Sequence, residues 1–120
     1  MTIRIRRIYE PVRSDDGTRV LADRVWPRGV RKADAALDRW AKDVAPSTDL
    51  RKWFGHDPAR FDEFAAAYRN ELDGRPEAVA ELVELARDGD LTLLYAARDP
   101  DCNHARILAE YLEQRRASGT

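Results

Sequence analysis

Apolar and polar side chains alternate in the first part of the chain. Residues 2–9 read TIRIRRIY, in which Ile3 and Ile5 alternate with arginines, and this period of two is typical of a strand with one buried and one exposed face. Residues 19–25, RVLADRV, predict a second strand, which ends at Trp26 and Pro27 because proline cannot continue a ladder. Residues 91–95, LTLLY, are apolar at consecutive positions and predict a third strand buried on both faces.

Between the second and third strands the apolar spacing becomes helical. Residues 37–44 carry apolar side chains at i, i+3, i+4 and i+7, which predicts an amphipathic helix that Pro46 ends. Ser47 is placed to cap a short helix that reaches Phe54, and Gly55 is placed to end it in a left-handed conformation.

Three longer helices follow. Asp57 and Pro58 form a start signal, after which Phe61, Phe64, Ala65, Tyr68 and Leu72 trace one stripe up to Gly74. Pro76 starts the next helix and Gly89 ends it. The last helix is predicted to bury Ile107, Leu108, Tyr111 and Leu112.

This order of elements is typical of an α/β protein. Helices between the second and third strands are what a parallel crossover requires, whereas the connection of about nine residues between the first two strands favours an antiparallel pair; that pairing stays open. We expect a small three-layer sandwich with a short, mainly parallel sheet and helices on both faces. We expect residues 1–120 to form a single domain, with 113–120 as a frayed tail.

Composition and charge narrow the function classes. No stretch approaches eighteen apolar residues and the first residues lack an apolar secretory segment, so we expect a cytoplasmic protein without membrane contact. The first 32 residues hold nine Lys or Arg and four Asp or Glu, within a chain of net charge -1. A basic region in a near-neutral protein favours a local anion site over nucleic-acid coating, although arginines that merely keep a strand face soluble remain the alternative.

The stretch after the third strand is the first candidate site. Tyr95 ends the strand, Arg98 and Asp99 follow in the loop, and Asn103 and His104 stand at the start of the last helix. An anion there would meet backbone N–H groups and a guanidinium, while the imidazole could transfer a proton near neutral pH. The alternative is helix capping, with Asp101 or Asn103 as the cap and Arg98 as a surface charge.

The end of the second strand is the other candidate. Arg24 and Arg28 flank Trp26 there; guanidinium forks suit carboxylate or phosphate, and the indole could stack on a planar group. Asp23 could hold an arginine in place. Alternatively, Asp23 forms a purely structural pair and Trp26 is a hydrophobic plug over the sheet end.

Other chemistry has less support. Cys102, the one cysteine, stands beside a helix start but lacks the spacing of a phosphatase loop, and one cysteine with two histidines has no metal-site spacing. His56 could reach the same pocket or simply precede the Asp57 cap. GxGxxG and GxxxxGK[ST] are absent, so nucleotide binding of those two kinds has no motif support and we expect no cofactor. A metal held by His56, His104 and Asp99 is allowed by ligand type but has no supporting spacing, and we expect none.

Several motifs together resemble a known family. They are R-x-Y at 7–9, GTRVLADRVWPRG at 17–29, APSTDLRKWF at 45–54, HDP at 56–58, and LTLLYAARD with NHA between 91 and 105. The chain is similar to the YeaO-like branch of the bacterial domain-of-unknown-function family 488. That resemblance implies a small α/β three-layer domain and no established activity. Wider-family members carry a Cys at the strand end and Cys-His-Arg at the helix start, where this chain has Tyr95 and Asn103, His104, Ala105, so thiol chemistry is not carried over.

We therefore expect a pocket at the carboxyl ends of the second and third strands that binds a phosphate- or carboxylate-bearing small molecule or nucleotide. Its ligand-binding residues would be Arg24, Trp26, Arg28, Tyr95, Arg98 and Asn103. In an enzyme, His104 would act as general acid or base and Asp99 would orient a donor. The alternative is a noncatalytic module that binds nucleic acid or protein through the basic N-terminal strand face. Oligomeric state stays open.

Overall fold

The computed structural model describes residues 2–118 and contains a four-stranded sheet and five α-helices in that range. The strands are β1 (Ile3–Arg7), β2 (Thr18–Leu21), β3 (Arg39–Trp40) and β4 (Leu91–Tyr95). The helices are α1 (Lys32–Ala35), α2 (Thr48–Phe54), α3 (Phe61–Asp73), α4 (Pro76–Asp88) and α5 (His104–Ser118). Two 3₁₀ turns, Lys42–Val44 and Pro58–Arg60, precede α2 and α3.

All four strands are parallel, in the order β1-β4-β2-β3. Leu93 in β4 lies opposite Ile5 on one side and Val20 on the other. The first two strands are therefore neither antiparallel nor adjacent. The short connection between them is compatible with parallel strands because β4 lies between them, so the two never form a ladder.

Helices α3, α4 and α5 cover one face of the sheet, and α1 with its flanking loops covers the other. On the first face, Leu91 and Leu93 pack against α3–α5. On the second, Leu94 and Leu21 pack with Ala35 of α1. The fold is α/β, as the order of elements predicts, and β4 is buried on both faces, as predicted.

The helix predicted over residues 37–44 is wrong. The chain forms α1 earlier, ends it at Ala36 in a left-handed conformation (φ 49°), and then runs as β3 beside β2. The apolar residues do have helical spacing, but they are covered for separate reasons: Leu37 and Trp40 pack on the second face of the sheet, and Val44 packs under α3–α5. Pairing with β2 outweighs the local period.

The exposed face predicted for β1 is also not observed, since all five residues of the strand are half-buried. Ile3 and Ile5 pack towards α3–α5. On the other side, Arg4 donates to the carbonyl of Asp15, and Arg6 Nε lies 2.8 Å from Asp16 Oδ1. The alternation therefore correctly separates the isoleucine face of β1 from its arginine face. The arginines are bonded to other protein groups, however, instead of extending into solvent.

The remaining helices follow their sequence signals. Ser47 Oγ accepts from the backbone N–H of Leu50 to cap α2, and Gly55 ends it at φ 55°. Asp57 caps the turn that leads into α3, by accepting from the amide of Ala59.

Strand β2 ends at Leu21, earlier than predicted, which leaves residues 22–25 as a loop.

Helix α5 begins at His104 and buries Ile107, Leu108, Tyr111 and Leu112, as predicted. It continues through Ser118, across most of the segment expected to fray, and residues 119–120 lie outside the described range. Within residues 2–118, none of the helices combines the length and the apolar character needed to cross a bilayer.

Candidate functional site

A cavity of about 710 Å³ opens at the carboxyl ends of β1, β2 and β4. The chain leaving β2 runs to the face covered by α1, whereas the chain leaving β4 runs to α5 on the opposite face. Connections that diverge from neighbouring parallel strands leave a crevice between them, which is where open α/β sheets bind ligands. The charged and imidazole side chains that line it are Arg7, Asp23, Arg24, Arg51, His56, Arg98, Asp99 and His104.

The structure brings five of the eight residues singled out in the sequence to this cavity: Arg24, Arg98, Asp99, Asn103 and His104. The other three lie outside its wall: Trp26, Arg28 and Tyr95.

Each of these three has a different environment. The Trp26 indole N–H donates to the carbonyl of Val30 at 2.8 Å, and its ring meets Trp40 edge-on at 5.2 Å, so it is a hydrophobic plug on the second face of the sheet. Arg28 is exposed, and its backbone carbonyl accepts from the Tyr9 hydroxyl. Tyr95 is 4% exposed, and burial raises the pKa of its phenol.

His104 is held by the loop that follows β2. Its Nε2 lies 3.1 Å from the carbonyl of Ala22 and 2.9 Å from Oδ1 of Asp23. Asp23 is itself fixed, because its Oδ2 accepts from the backbone N–H of Ala96 at 3.0 Å and its carbonyl accepts from the indole of Trp40. The imidazole therefore has one nitrogen anchored to a carboxylate and a carbonyl, the arrangement that orients histidines in many active sites.

The four arginines of the cavity fall into two pairs. Arg7 Nε donates to the carbonyl of Ala97 at 3.0 Å, and its guanidinium carbon lies 4.6 Å from the centre of the Tyr9 ring. Arg24 donates to the carbonyls of Ala45 and Pro46, both at 3.2 Å. Both guanidinium groups are thus held by neutral carbonyls and keep their charge unpaired.

The second pair, Arg51 and Arg98, is exposed and makes no side-chain hydrogen bond or ion pair with the rest of residues 2–118. Against four arginines the cavity offers two carboxylates, Asp23 and Asp99. Both carboxylates already accept from groups of the protein. The arginines and carboxylates that line the cavity therefore sum to a formal charge of +2, since four arginines face two carboxylates.

The loop between β4 and α5 is organised by its own polar side chains. Asp99 Oδ1 accepts from the amides of Asp101 (2.8 Å) and Cys102 (3.0 Å), and these hydrogen bonds hold the pKa of Asp99 below its usual range. Asn103 is 2% exposed; it donates to the carbonyl of Asp99 and accepts from the amide of Arg106, three residues into the helix. Of the two residues considered as the cap, Asn103 caps the helix, while Asp99 organises the loop before it; Asn103 and Asp99 also line the cavity.

Cys102 and the metal-ligating side chain types were the remaining candidates for chemistry. Cys102 is half-buried against the core, and burial together with the nearby carboxylates of Asp99 and Asp101 raises the pKa of its thiol, which disfavours the reactive thiolate. Among residues 2–118, no three His, Cys, Asp or Glu side chains come together as a metal site.

Sequence reasoning missed Arg7, Tyr9 and Arg51 as cavity residues, and it gave Asp23 a different partner. The signal for the first two is the R-x-Y motif at the end of β1, which falls at the carboxyl edge once β1 is known to be parallel. His56, for which two roles were open, lines the cavity directly before the Asp57 cap. Arg51 carried no signal, because only the packing of α2 brings it to the sheet edge.

Comparison with known proteins gives full-length matches. The family model described as "Inactive DUF488-N3 subclade" matches residues 2–120. The Mycobacterium tuberculosis (H37Rv) protein named "Uncharacterized protein Rv3073c" is 47% identical over 113 residues, which cover 94% of this chain and 95% of that protein. The Escherichia coli K12 protein named "Uncharacterized protein YeaO" is 42% identical over 112 residues, covering 93% and 97%.

No solved structure matches the chain. The family match spans every element described above, and it agrees with the resemblance carried by the motifs at 17–29, 45–54 and 91–105. This chain belongs to the DUF488 family, in the branch described as its inactive N3 subclade.

Proposed function

We propose that this chain binds a small molecule bearing phosphate or carboxylate oxygens in the cavity at the carboxyl edge of its sheet. The observation that carries the proposal is the surplus of guanidinium groups there: Arg7 and Arg24 are held by neutral carbonyls, and Arg51 and Arg98 have no partner within residues 2–118. Unpaired guanidinium forks are costly to gather in one cleft unless an anion joins them. The start of α5 adds the positive end of a helix dipole at the same place.

The size of the cavity supports a ligand larger than an inorganic ion. Ligand pockets commonly measure about 300–1,000 Å³, and a cavity of about 710 Å³ has room for a nucleotide or a sugar phosphate. Phe54 and Phe64, which stack at 4.3 Å, give part of the wall an apolar surface for the remainder of such a ligand.

Acid–base chemistry by His104 is the second candidate function. The contact between Nε2 and Asp23 favours this function. In it, Asp23 rather than Asp99 would be the orienting carboxylate, because Asp99 Oδ1 already accepts from two backbone amides. The description of the subclade as inactive favours binding without turnover, which is why binding is proposed first.

Nucleic-acid binding through the basic strand face has less support. Arg4 donates to the Asp15 carbonyl and Arg6 lies against Asp16, so this face offers few free charges to a phosphate backbone. We keep the cytoplasm as the proposed location.

The test is a thermal-shift and calorimetric screen of the purified protein against phosphate, nucleotides, sugar phosphates, di- and tricarboxylates and short oligonucleotides. A ligand at a hundredfold excess over its dissociation constant stabilises the folded state by about 2.7 kcal/mol. We expect a small anion to raise the midpoint, and Arg98→Ala and Arg51→Ala each to weaken its binding at least about tenfold, the effect of losing a charged hydrogen bond.

Arg13→Ala is the matched control. Arg13 is exposed, does not line the cavity, and its removal changes net charge by the same amount. Equal loss of affinity in the control and in both cavity variants would show that general charge, not the cavity, binds the ligand. Binding confined to oligonucleotides, and unaffected by Arg98→Ala, would replace the proposal with the strand-face module.

A further inference from the structure

The hydrogen-bond partners of His104 determine which of its ring nitrogens carries the hydrogen. Both groups beside Nε2, the Ala22 carbonyl and the Asp23 carboxylate, are acceptors. A neutral imidazole has one N–H and one lone pair, so Nε2 carries the hydrogen and Nδ1 carries the lone pair. Nδ1 has no hydrogen-bond partner within residues 2–118, and His104 lines the cavity.

Open acceptors are scarce in this cavity. The arginines can only donate, Asp99 Oδ1 accepts from two amides, and Asp23 Oδ2 accepts from the Ala96 amide; Oδ1 of Asp23 is buried, makes no other hydrogen bond within residues 2–118 and lies 2.9 Å from Nε2. Nδ1 of His104 thus remains an open acceptor among side chains that mostly donate; the other open acceptors among the described side chains of the wall are Oδ2 of Asp99 and the exposed imidazole of His56.

Building on the proposed anion binding, we propose that His104 makes the cavity select oxyanions that still carry a hydroxyl hydrogen. Hydrogen phosphate, a monoprotonated phosphate ester and a carboxylate with a neighbouring hydroxyl belong to this class, and sulfate does not. The anion's bare oxygens meet the guanidinium groups while its O–H donates to Nδ1. An oxyanion without a hydrogen turns a lone pair towards the Nδ1 lone pair, and sites built to accept a hydrogen bond strongly reject analogues that cannot donate one.

Asp23 is the positioning residue in this scheme. It does not need to touch the ligand; its carboxylate keeps the hydrogen on Nε2 and so keeps Nδ1 as an acceptor. The Ala96 amide, which donates to Asp23 Oδ2, fixes that carboxylate to the end of β4.

Hydrogen phosphate and sulfate are the probes for this proposal. At about pH 8.5 both are tetrahedral dianions of nearly equal size, and only phosphate has a hydrogen to donate. Calorimetry on the wild-type chain should show phosphate bound at least about tenfold more tightly than sulfate, the effect of one unsatisfied buried acceptor. His104→Ala should bring the ratio close to one, and Asp23→Asn should lower it.

The ratio is measured on a single protein sample, so partial unfolding of a variant affects both anions alike. Equal binding of the two anions by the wild type would overturn the selectivity while leaving anion binding intact. Binding of neither inorganic anion would overturn the selectivity proposal, while the wider ligand screen decides the proposed function separately. A ratio that collapses in Asp99→Asn but survives His104→Ala would assign the acceptor to Asp99 and overturn the role of His104.

Nitrogen-15 NMR of the wild-type imidazoles gives a second test that does not depend on any ligand. The proposal requires the His104 ring to be the Nε2–H form at about pH 8.5, and Asp23→Asn should raise the population of the Nδ1–H form. A wild-type ring that carries its hydrogen on Nδ1 would overturn the proposal.

Discussion

Asp16 neutralises two arginines inside the protein, and removing its charge should destabilise the fold severely. The residue is 1% exposed; its Oδ2 accepts from Arg19 at 2.5 Å and its Oδ1 lies 2.8 Å from Arg6 Nε. Arg19 is 4% exposed and also donates to the carbonyls of Ala35 and Ala36, so it cannot turn out to water without breaking the end of α1. The substitution Asp16→Asn keeps the shape of the side chain, removes its charge and replaces one acceptor oxygen by an NH2 donor.

The expected loss is about 3 kcal/mol. Removing one partner from a buried ion pair costs about 3–5 kcal/mol, because the remaining charge stays desolvated. The lower end applies because the asparagine oxygen can still accept one of the existing bonds and Arg6 is partly exposed. With an unfolding entropy of about 2.1 cal/mol/K per residue, a loss of this size lowers the melting temperature by about 12 °C.

Urea unfolding followed by circular dichroism measures this loss, and Asp34→Asn is the control. Asp34 pairs with Arg31 at 3.0 Å with the same three-residue separation, but both side chains are largely exposed (63% and 84%). An exposed pair contributes at most about 1 kcal/mol, so the control should change stability by no more than that amount. Equal losses in the two variants would refute the reasoning, since burial would then not decide the cost.

The same site predicts the pH dependence of stability. Burial alone would raise the pKa of Asp16, but the Arg13 amide, the hydrogen bond from Arg19 and the charges of Arg19 and Arg6 outweigh it and hold the pKa below its ordinary value. A carboxyl with a lowered folded-state pKa stabilises the protein above its unfolded value of about 3.9 and loses that contribution as the pH falls through the folded value. The stability difference between wild type and Asp16→Asn should therefore shrink below about pH 4. A difference that stays constant down to pH 2 would contradict this assignment.

Three further predictions concern single positions. Gly17→Ala should lower the free energy of unfolding in urea by about 2 kcal/mol or more, because φ is +65° and a Cβ would collide with a backbone carbonyl. The control is Gly29→Ala, at φ +79° in open space, which should cost only about 1 kcal/mol. Equal costs in the two variants would contradict the collision. Tyr68→Phe should cost about 1–3 kcal/mol, because its buried hydroxyl donates to a loop carbonyl, while Tyr9→Phe, whose hydroxyl is exposed, should be nearly neutral. Cys102 should react with iodoacetamide more slowly than a free thiol at pH 8 and faster as the pH rises, because its pKa is raised; faster reaction than the free thiol would refute this.

Local signals predicted the helices that have clear ends. Ser47, Asp57, Gly55 and Gly74 act within one helical turn of their own position, and the structure uses each of them at or beside the boundary that the sequence indicated. Strand β4 was equally clear because burial on both faces leaves a continuous apolar run. These features depend only on neighbouring residues, so the sequence contains them directly.

The order of strands could not be obtained in this way. Connection length distinguishes parallel from antiparallel neighbours only when two consecutive strands pair, and here β4, from the far end of the chain, separates β1 from β2. The same non-local pairing turned Arg39 and Trp40 into a strand beside β2, against a helical period. Once β1 is known to be parallel, Arg7 and Tyr9 fall at the carboxyl edge, so the failure to predict these two cavity residues follows from the missed topology.

From the sequence, residues 98–104 could be either a capped helix start or a binding site. In the structure, the binding site depends on the capped helix start. Asn103 and Asp99 supply the hydrogen bonds that begin α5 at His104, which fixes the imidazole in the first turn of the helix. Only a fixed imidazole can keep one nitrogen between the Ala22 carbonyl and Asp23. Loss of the cap, as in Asn103→Ala, should therefore lower both the free energy of unfolding, by about 1 kcal/mol or more, and the preference for phosphate over sulfate. A variant that loses stability but keeps the full preference would show that the cap and the site are independent.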